Sequence, residues 1–238
     1  MSFLEHLDEL RRRLIIAVAA IGVGMVIAFL FIGRIVDFVM TPLNALLPAG
    51  STFISYEMTE GFMLYMKVAA LTGVFIATPV VMLQFWLFVA PGLYAHEKRF
   101  AIPFVFLATF FFLLGAAFSH YFVFPFAFGF FANFFGTDSY IRFMPSIGPL
   151  FAAYVKMMLA LGLVFQMPTI VFFLARMGLV TARWLMQKTK YAILIIFIVA
   201  AIITPGPDVV SQVLVATPMT LLYGISILIA WMFQKRKA

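Results

Sequence analysis

The sequence predicts an all-α polytopic membrane protein, a single domain over residues 1–238 whose six transmembrane helices, several kinked by proline, form a concave bundle. Composition is the first support, since 65% of the residues are hydrophobic and 11% are charged. Soluble domains average roughly 45–50% and about 25%. The mean hydropathy is +1.12. A chain of this length cannot hide so much apolar surface from water, so we expect lipid to be its solvent.

The segment before the first span predicts an amphipathic helix on the membrane surface, over residues 2–13. Ser2 and Glu5 match the capping-box pattern, and leucines at three- and four-residue spacing share one face. Glu9 and Arg13 are four residues apart in the order that favours an ion pair on a helix. The residues alone therefore also allow a simpler interpretation, in which Glu9 is neutralised by its own helix.

Six apolar runs predict the membrane spans, at about residues 14–32, 66–89, 100–128, 149–174, 191–203 and 209–233. Gly22 and Gly24 in the first run permit close helix packing. Pro79, Pro125 and Pro218 lie inside later runs and predict bends. The fifth run would rise only about 20 Å, short of a hydrocarbon core of about 30 Å, which predicts local thinning of the bilayer or shelter by neighbouring helices.

The first long connection, residues 34–65, is punctuated by prolines at Pro42 and Pro48, and its apolar residues predict a short helix in the interface. In the fourth span, Pro168 leaves the carbonyl of Val164 without its helical donor. Gln166 lies beside this break, at a depth where an amide needs a partner. We therefore hypothesise that Gln166 polarises a groove.

Charge predicts the orientation. The net charge is +7, and 12 of the 16 Lys and Arg residues fall on one predicted side, which the positive-inside rule makes cytoplasmic. Both termini are then cytoplasmic. We expect these charges to set topology and not to bind nucleic acid. The lack of a transit peptide favours the plasma membrane of a bacterium or archaeon.

Catalytic signals are absent from the sequence. There is no HExxH, GxSxG or P-loop motif, and the three histidines are scattered. The chain has no Cys, which excludes disulfides and thiolate metal sites. We expect no enzyme activity, no metal and no cofactor. Three classes remain open: a protein translocase receptor, a small-solute transporter and a passive membrane scaffold.

A short polar break at residues 88–99 holds one acid, Glu97, among bases beside a Pro-Gly turn. One interpretation is an acid in the first turn of the third span, favoured by the helix dipole and paired with Lys98 or Arg99. The other is a cytoplasmic recognition site for a cationic partner. The residues alone do not choose between them.

Four separated stretches resemble one known family. They are Glu5-His-Leu-Asp-Glu-Leu-Arg-Arg-Arg-Leu14, Phe88-Val-Ala-Pro-Gly-Leu-Tyr-Ala-His-Glu-Lys-Arg99, Phe124-Pro-Phe-Ala-Phe-Gly-Phe-Phe-Ala-Asn133 and Thr204-Pro-Gly-Pro-Asp-Val-Val-Ser-Gln212. In order and spacing, the chain resembles TatC, the multispanning subunit of the twin-arginine protein translocase. The resemblance implies a receptor for the paired arginines of signal peptides on folded cargo. It also implies partners TatA and TatB, self-association, and transport driven by the protonmotive force.

The resemblance implies particular site residues. The implied signal-binding positions are Glu9, Glu97, Phe88, Pro91, Leu93, Tyr94, His6 and Arg11. Further motif positions are Pro42 and Pro48 in the first extracytoplasmic loop and Asp208 in the last. Gln166 departs from the family, which often has Glu there, and an amide cannot titrate. Arg presents a fork of donors to a carboxylate and Lys does not, so two separated glutamates would favour an Arg-Arg pair. Each charge-assisted hydrogen bond contributes about 1.5–3 kcal/mol where it is partly shielded.

Overall fold

The computed structural model describes residues 3–48, 50–89, 101–136, 143–204, 206 and 208–233. Its helices are α1 (Phe3–Leu30), α2 (Ile32–Ala45), α3 (Glu60–Val89), α4 (Ala101–Phe118), α5 (Phe124–Gly136), α6 (Ile147–Val164), α7 (Met167–Arg176), α8 (Ala182–Ile203) and α9 (Val209–Phe233), with a π-helical turn at Ser119–Val123 between α4 and α5. Within the described residues, six segments are long and apolar enough to cross a bilayer: Leu4–Leu30, Glu60–Phe88, Ile102–Phe134, Ile147–Arg176, Ala182–Ile203 and Val209–Phe233. The predicted all-α architecture with six spans is confirmed.

The chain divides into two compact units, Met1–Phe110 with Phe135–Phe151, and Phe111–Phe134 with Ala152–Ala238. In the first unit, α1 packs along α3 in the antiparallel direction. The two backbones come close at Gly24 and Gly73, because a Cβ atom on Gly24 would lie 2.7 Å from the carbonyl oxygen of Gly73. The predicted close packing at Gly24 is therefore correct, whereas Gly22 has open space around it.

The amino-terminal segment differs from its prediction. The prediction covered residues 2–13. Over the described residues 3–13 there is no separate helix, because α1 runs without a break from Phe3 to Leu30. Between residues 3 and 21 there is neither Gly nor Pro, so nothing in the sequence ends the helix before the apolar run begins. The charged turns and the first span form one continuous helix.

Two connections of the first unit are tied together near the start of α3. Ile54 pairs with Ser146 in a parallel bridge, and the Ile147 amide donates to the Ile54 carbonyl over 3.0 Å. The Glu60 carboxylate accepts from the Ser146 hydroxyl (3.3 Å) and from the Tyr56 amide (3.1 Å). These bonds fix the connection that follows α2 against the segment that leads into α6.

In the second unit, the third span changes its winding at the π-helical turn, immediately before Pro125. Pro has no amide hydrogen, and a local π turn is one way in which a helix accommodates the missing bond. The fourth span is interrupted as predicted: α6 ends at Val164, and α7 begins at Met167 with Pro168 in its first turn.

The fifth span is longer than predicted. Helix α8 begins at Ala182 and not near Tyr191, and the Thr181 hydroxyl caps it by accepting from the Trp184 amide over 3.2 Å. Lys and Arg are good helix formers, so the basic stretch continues the helix and does not interrupt it. Helix α9 packs against α8, and the Tyr223 hydroxyl donates to the Leu185 carbonyl over 2.7 Å.

Candidate functional site

A polar and aromatic cluster joins the amino-terminal part of α1 to the carboxyl-terminal part of α3. We call it the α1–α3 seam, and it consists of His6, Glu9, Arg13, Gln84 and Phe88. The three α1 residues are three and four positions apart, which places them on one face of the helix. The two α3 residues are four positions apart and share a face for the same reason. The seam therefore follows from helical periodicity once the two helices are antiparallel.

Arg13 is the centre of the seam. Its Nη2 donates to Oε1 of Glu9 over 3.1 Å, and its Nη1 donates to Oε1 of Gln84 over 3.3 Å. The Arg13 and Glu9 side chains are 25% and 19% exposed, and Gln84 is buried. The ion pair that sequence spacing suggested is present, and it is also anchored to the neighbouring helix. Partial shielding from water strengthens such charge-assisted bonds relative to fully exposed ones.

His6 and Phe88 form the outer end of the seam, with ring centroids 4.5 Å apart and an interplanar angle of 24°. Three predicted site residues, His6, Glu9 and Phe88, thus belong to the seam. Arg11 is exposed and lies two positions from Glu9, which turns it to the opposite side of α1. It does not belong to the seam.

Four predicted site residues, Pro91, Leu93, Tyr94 and Glu97, lie outside the described residues. The structure therefore describes one of the two predicted glutamates. Sequence reasoning missed Gln84 and the role of Arg13 as a link between helices. The signal was available, because Gln84 is an amide in an apolar span four residues before Phe88, and a buried amide needs a partner.

Gln166 is buried, at the position that precedes the first turn of α7. Its backbone N–H donates to the Leu163 carbonyl over 3.0 Å, and its backbone carbonyl accepts from the Ile170 N–H over 2.9 Å. The residue therefore lies at the joint between α6 and α7. The predicted break of the helix at this depth is present.

A second buried polar contact in the same unit was not predicted. Nδ1 of His120 and the Tyr154 hydroxyl are 2.9 Å apart, and both side chains are buried. His120 belongs to the π-helical turn, which rotates residues out of the ordinary helical register. The two residues are 34 positions apart, so no local pattern indicated the pair.

The remaining motif positions lie in a helix, in a turn and before a helix. Pro42 lies inside α2, and the Pro48 carbonyl accepts from the Ser51 amide over 3.0 Å in the turn that follows. Asp208 precedes α9, and its Oδ1 accepts from the Ser211 amide over 2.6 Å. This is the capping interaction expected of Asp before a helix.

An all-α fold with six apolar spans defines a multi-pass membrane protein. The family described as "Sec-independent protein translocase protein (TatC)" matches residues 5–218, and the chain belongs to this family. It is 48% identical over 235 residues to the TatC protein of Desulforapulum autotrophicum, covering 99% of this chain and 86% of that one. The TatC protein of Koribacter versatilis is 41% identical over 239 residues, covering 99% and 87%.

Two crystal structures described as "Twin Arginine Translocase Receptor- TatC" have the same fold. Each is 36% identical and matches 94% of this chain, with TM-scores of 0.80 and 0.82 over 97% and 98% of the respective chain. The protein is accordingly a component of a Sec-independent protein translocase, and its class is transport.

Proposed function

We propose that this chain is the signal-peptide receptor of the translocase and binds the paired arginines of folded cargo precursors at the cytoplasmic face. The observation that supports this most is the α1–α3 seam, because it puts the Glu9 carboxylate beside an aromatic pair at one end of the antiparallel helices. In the proposed topology both termini are cytoplasmic, in the plasma membrane of a bacterium or archaeon, which makes this the cytoplasmic end.

The chemistry of the seam suits a guanidinium ligand. A carboxylate can accept two parallel hydrogen bonds from one guanidinium, which an ammonium group cannot supply. The ring faces of His6 and Phe88 offer an apolar surface on which a planar guanidinium can stack. Glu9 would take one arginine of the pair, and we propose that Glu97 takes the other, with Pro91, Leu93 and Tyr94 around it.

Assembly is the second part of the proposal. We propose that the receptor works with TatA and TatB, associates with copies of itself and uses the protonmotive force. The family places the chain in a protein translocase, and a receptor alone does not form a path for folded cargo. Membership in that family is the support for these partners.

Crosslinking tests the receptor proposal. A photoreactive twin-arginine peptide is incubated with the purified chain and with Glu9→Ala, Glu97→Ala and the double variant. We expect each single variant to lose most labelling and the double variant to lose nearly all of it. Asp8→Ala is the matched control, since Asp8 is an exposed acid on the adjacent position of α1 and outside the seam. Labelling at the wild-type level in all the Glu9 and Glu97 variants would contradict the proposal.

A further inference from the structure

The Glu9 carboxylate of the seam already has a guanidinium partner. Arg13 contacts Oε1 of Glu9 over 3.1 Å, with the same chemical group that a twin-arginine peptide would present. Because the charges of Glu9 and Arg13 cancel, an arriving arginine meets a neutral pair and not an open carboxylate.

The same arginine has a second acceptor on the other helix. Its Nη1 lies 3.3 Å from Oε1 of Gln84, which is buried on α3. A guanidinium has five donors in a rigid fork, so Arg13 can keep the Gln84 bond while its Nη2 leaves Glu9. The side-chain oxygen of Gln84 therefore remains a hydrogen-bond acceptor for Arg13 when the guanidinium leaves Glu9.

We propose that Arg13 competes with the signal peptide for Glu9. In the unbound receptor Arg13 occupies the Glu9 carboxylate, and when a signal-peptide arginine binds, Arg13 leaves Glu9 and keeps its bond to Gln84. This inference rests on the proposed function, because it assigns a regulator to the same site. Arg13 is a positioning residue in this scheme, since it acts on the ligand only through Glu9. The device sets affinity: it weakens the binding of every cationic segment by the free energy of the internal pair.

The sign of the effect makes the proposal testable. A residue that only supported the fold, or that only held Glu9 in place, would weaken peptide binding when removed. An internal competitor strengthens binding when removed. Partly exposed ion pairs contribute roughly 0.2–1 kcal/mol, so Arg13→Gln should bind a twin-arginine peptide about 1.4- to fivefold more tightly than the wild type.

A second substitution, on α3, should also release Glu9 from Arg13. Gln84→Glu gives Arg13 a carboxylate of its own on α3, which should draw the guanidinium away from Glu9 and also strengthen binding. A general effect of added negative charge is separated by a double-mutant cycle. Gln84→Glu should have little further effect in the Arg13→Gln background, because the arginine on which it acts is missing.

The experiment is an equilibrium titration of the purified full chain with a fluorescent twin-arginine peptide. Arg12→Gln is the matched control, since it removes the same charge from an exposed position of α1 that is next to Arg13 and outside the seam. We expect tighter binding by Arg13→Gln and Gln84→Glu, and wild-type binding by Arg12→Gln. Unchanged or weaker binding by Arg13→Gln overturns the inference, as does equal strengthening by Arg12→Gln. If Arg13→Gln does not insert into the membrane, Gln84→Glu decides in the same way.

Glu9→Ala in the same titration distinguishes failure of the competitor inference from failure of the receptor proposal. If Glu9→Ala weakens binding and Arg13→Gln does not strengthen it, the receptor proposal stands and only the competitor is wrong. If Glu9→Ala binds as the wild type does, Glu9 is not part of the receptor site, and both proposals fail at this residue.

Discussion

Hydroxyl and amide side chains inside the spans differ in where they find hydrogen-bond partners. The hydroxyls of Thr78, Thr220 and Ser226 donate to the carbonyl one helical turn earlier, over 2.8–2.9 Å. A hydroxyl can thus be satisfied within its own helix. Gln84 instead accepts a bond from another helix, and Gln166 lies where a helix is interrupted. Amides in an apolar span are therefore the better sequence signal for a contact between helices or a break in one. The sequence analysis singled out Gln166 on this ground and did not single out Gln84.

Gln166→Leu tests whether the joint between α6 and α7 takes part in transport. The substitution keeps the approximate size of the side chain and the backbone bonds of the joint, and it removes the amide from a buried position. We expect cargo export in cells to fall severalfold while the protein reaches the membrane in normal amount. Gln187→Leu, the same change at an exposed position of α8, should export normally. Full export by Gln166→Leu would rule out a role for its amide.

The packing of α1 against α3 depends on the register of the two helices, which the sequence indicates only in part. Glycine spacing indicated that α1 approaches another helix closely, and Gly24 does so. Its partner Gly73 was not identified, because the register of two antiparallel helices is a long-range property that no local pattern encodes. The same limit applies to Arg13 and Gln84, which belong to the seam formed by that register. The continuous α1 and the early start of α8 differ from prediction for another reason. Charged residues suggest helix ends at both places, but both helices continue through them.

Gly24→Ala and Gly22→Ala form a matched pair that tests this packing. The new Cβ at Gly24 would lie 2.7 Å from a backbone oxygen of α3, which cannot move aside as a side chain can. We expect Gly24→Ala to destabilise the protein by about 1–3 kcal/mol, the usual cost of overpacking. Gly22 has nothing within 4 Å, so Gly22→Ala should be as stable as the wild type or slightly more stable. Thermal unfolding in detergent measures both, and equal midpoints would contradict the described contact.

At the scale of the whole molecule, composition determines most of what the sequence predicts. Hydropathy indicated lipid as the solvent, and the apolar runs gave six spans, because both depend on sums over many residues. The candidate site depends on individual pairs across α1 and α3, so spacing predicted the Glu9–Arg13 pair and the resemblance supplied His6 and Phe88. Glu97 stays a prediction of the resemblance, since it lies outside the described residues.

The predicted topology can be measured directly because the chain has no Cys. Single substitutions Met58→Cys and Gln187→Cys introduce thiols at exposed positions in the first long connection and on α8. With both termini cytoplasmic, a membrane-impermeant maleimide should label Met58→Cys in intact cells and Gln187→Cys only after permeabilisation. The opposite pattern would reverse the orientation and move the seam to the outer face.

The most direct test of the central claim compares two peptides on one protein. The purified chain is titrated with a signal peptide containing Arg-Arg and with the same peptide containing Lys-Lys, and the titrations are repeated on Glu9→Ala. We predict a clear preference of the wild type for Arg-Arg, with weaker binding and a smaller preference in Glu9→Ala, because the carboxylate that matches the guanidinium fork is missing. Equal affinity of the wild type for both peptides, or an undiminished preference in Glu9→Ala, would contradict the account.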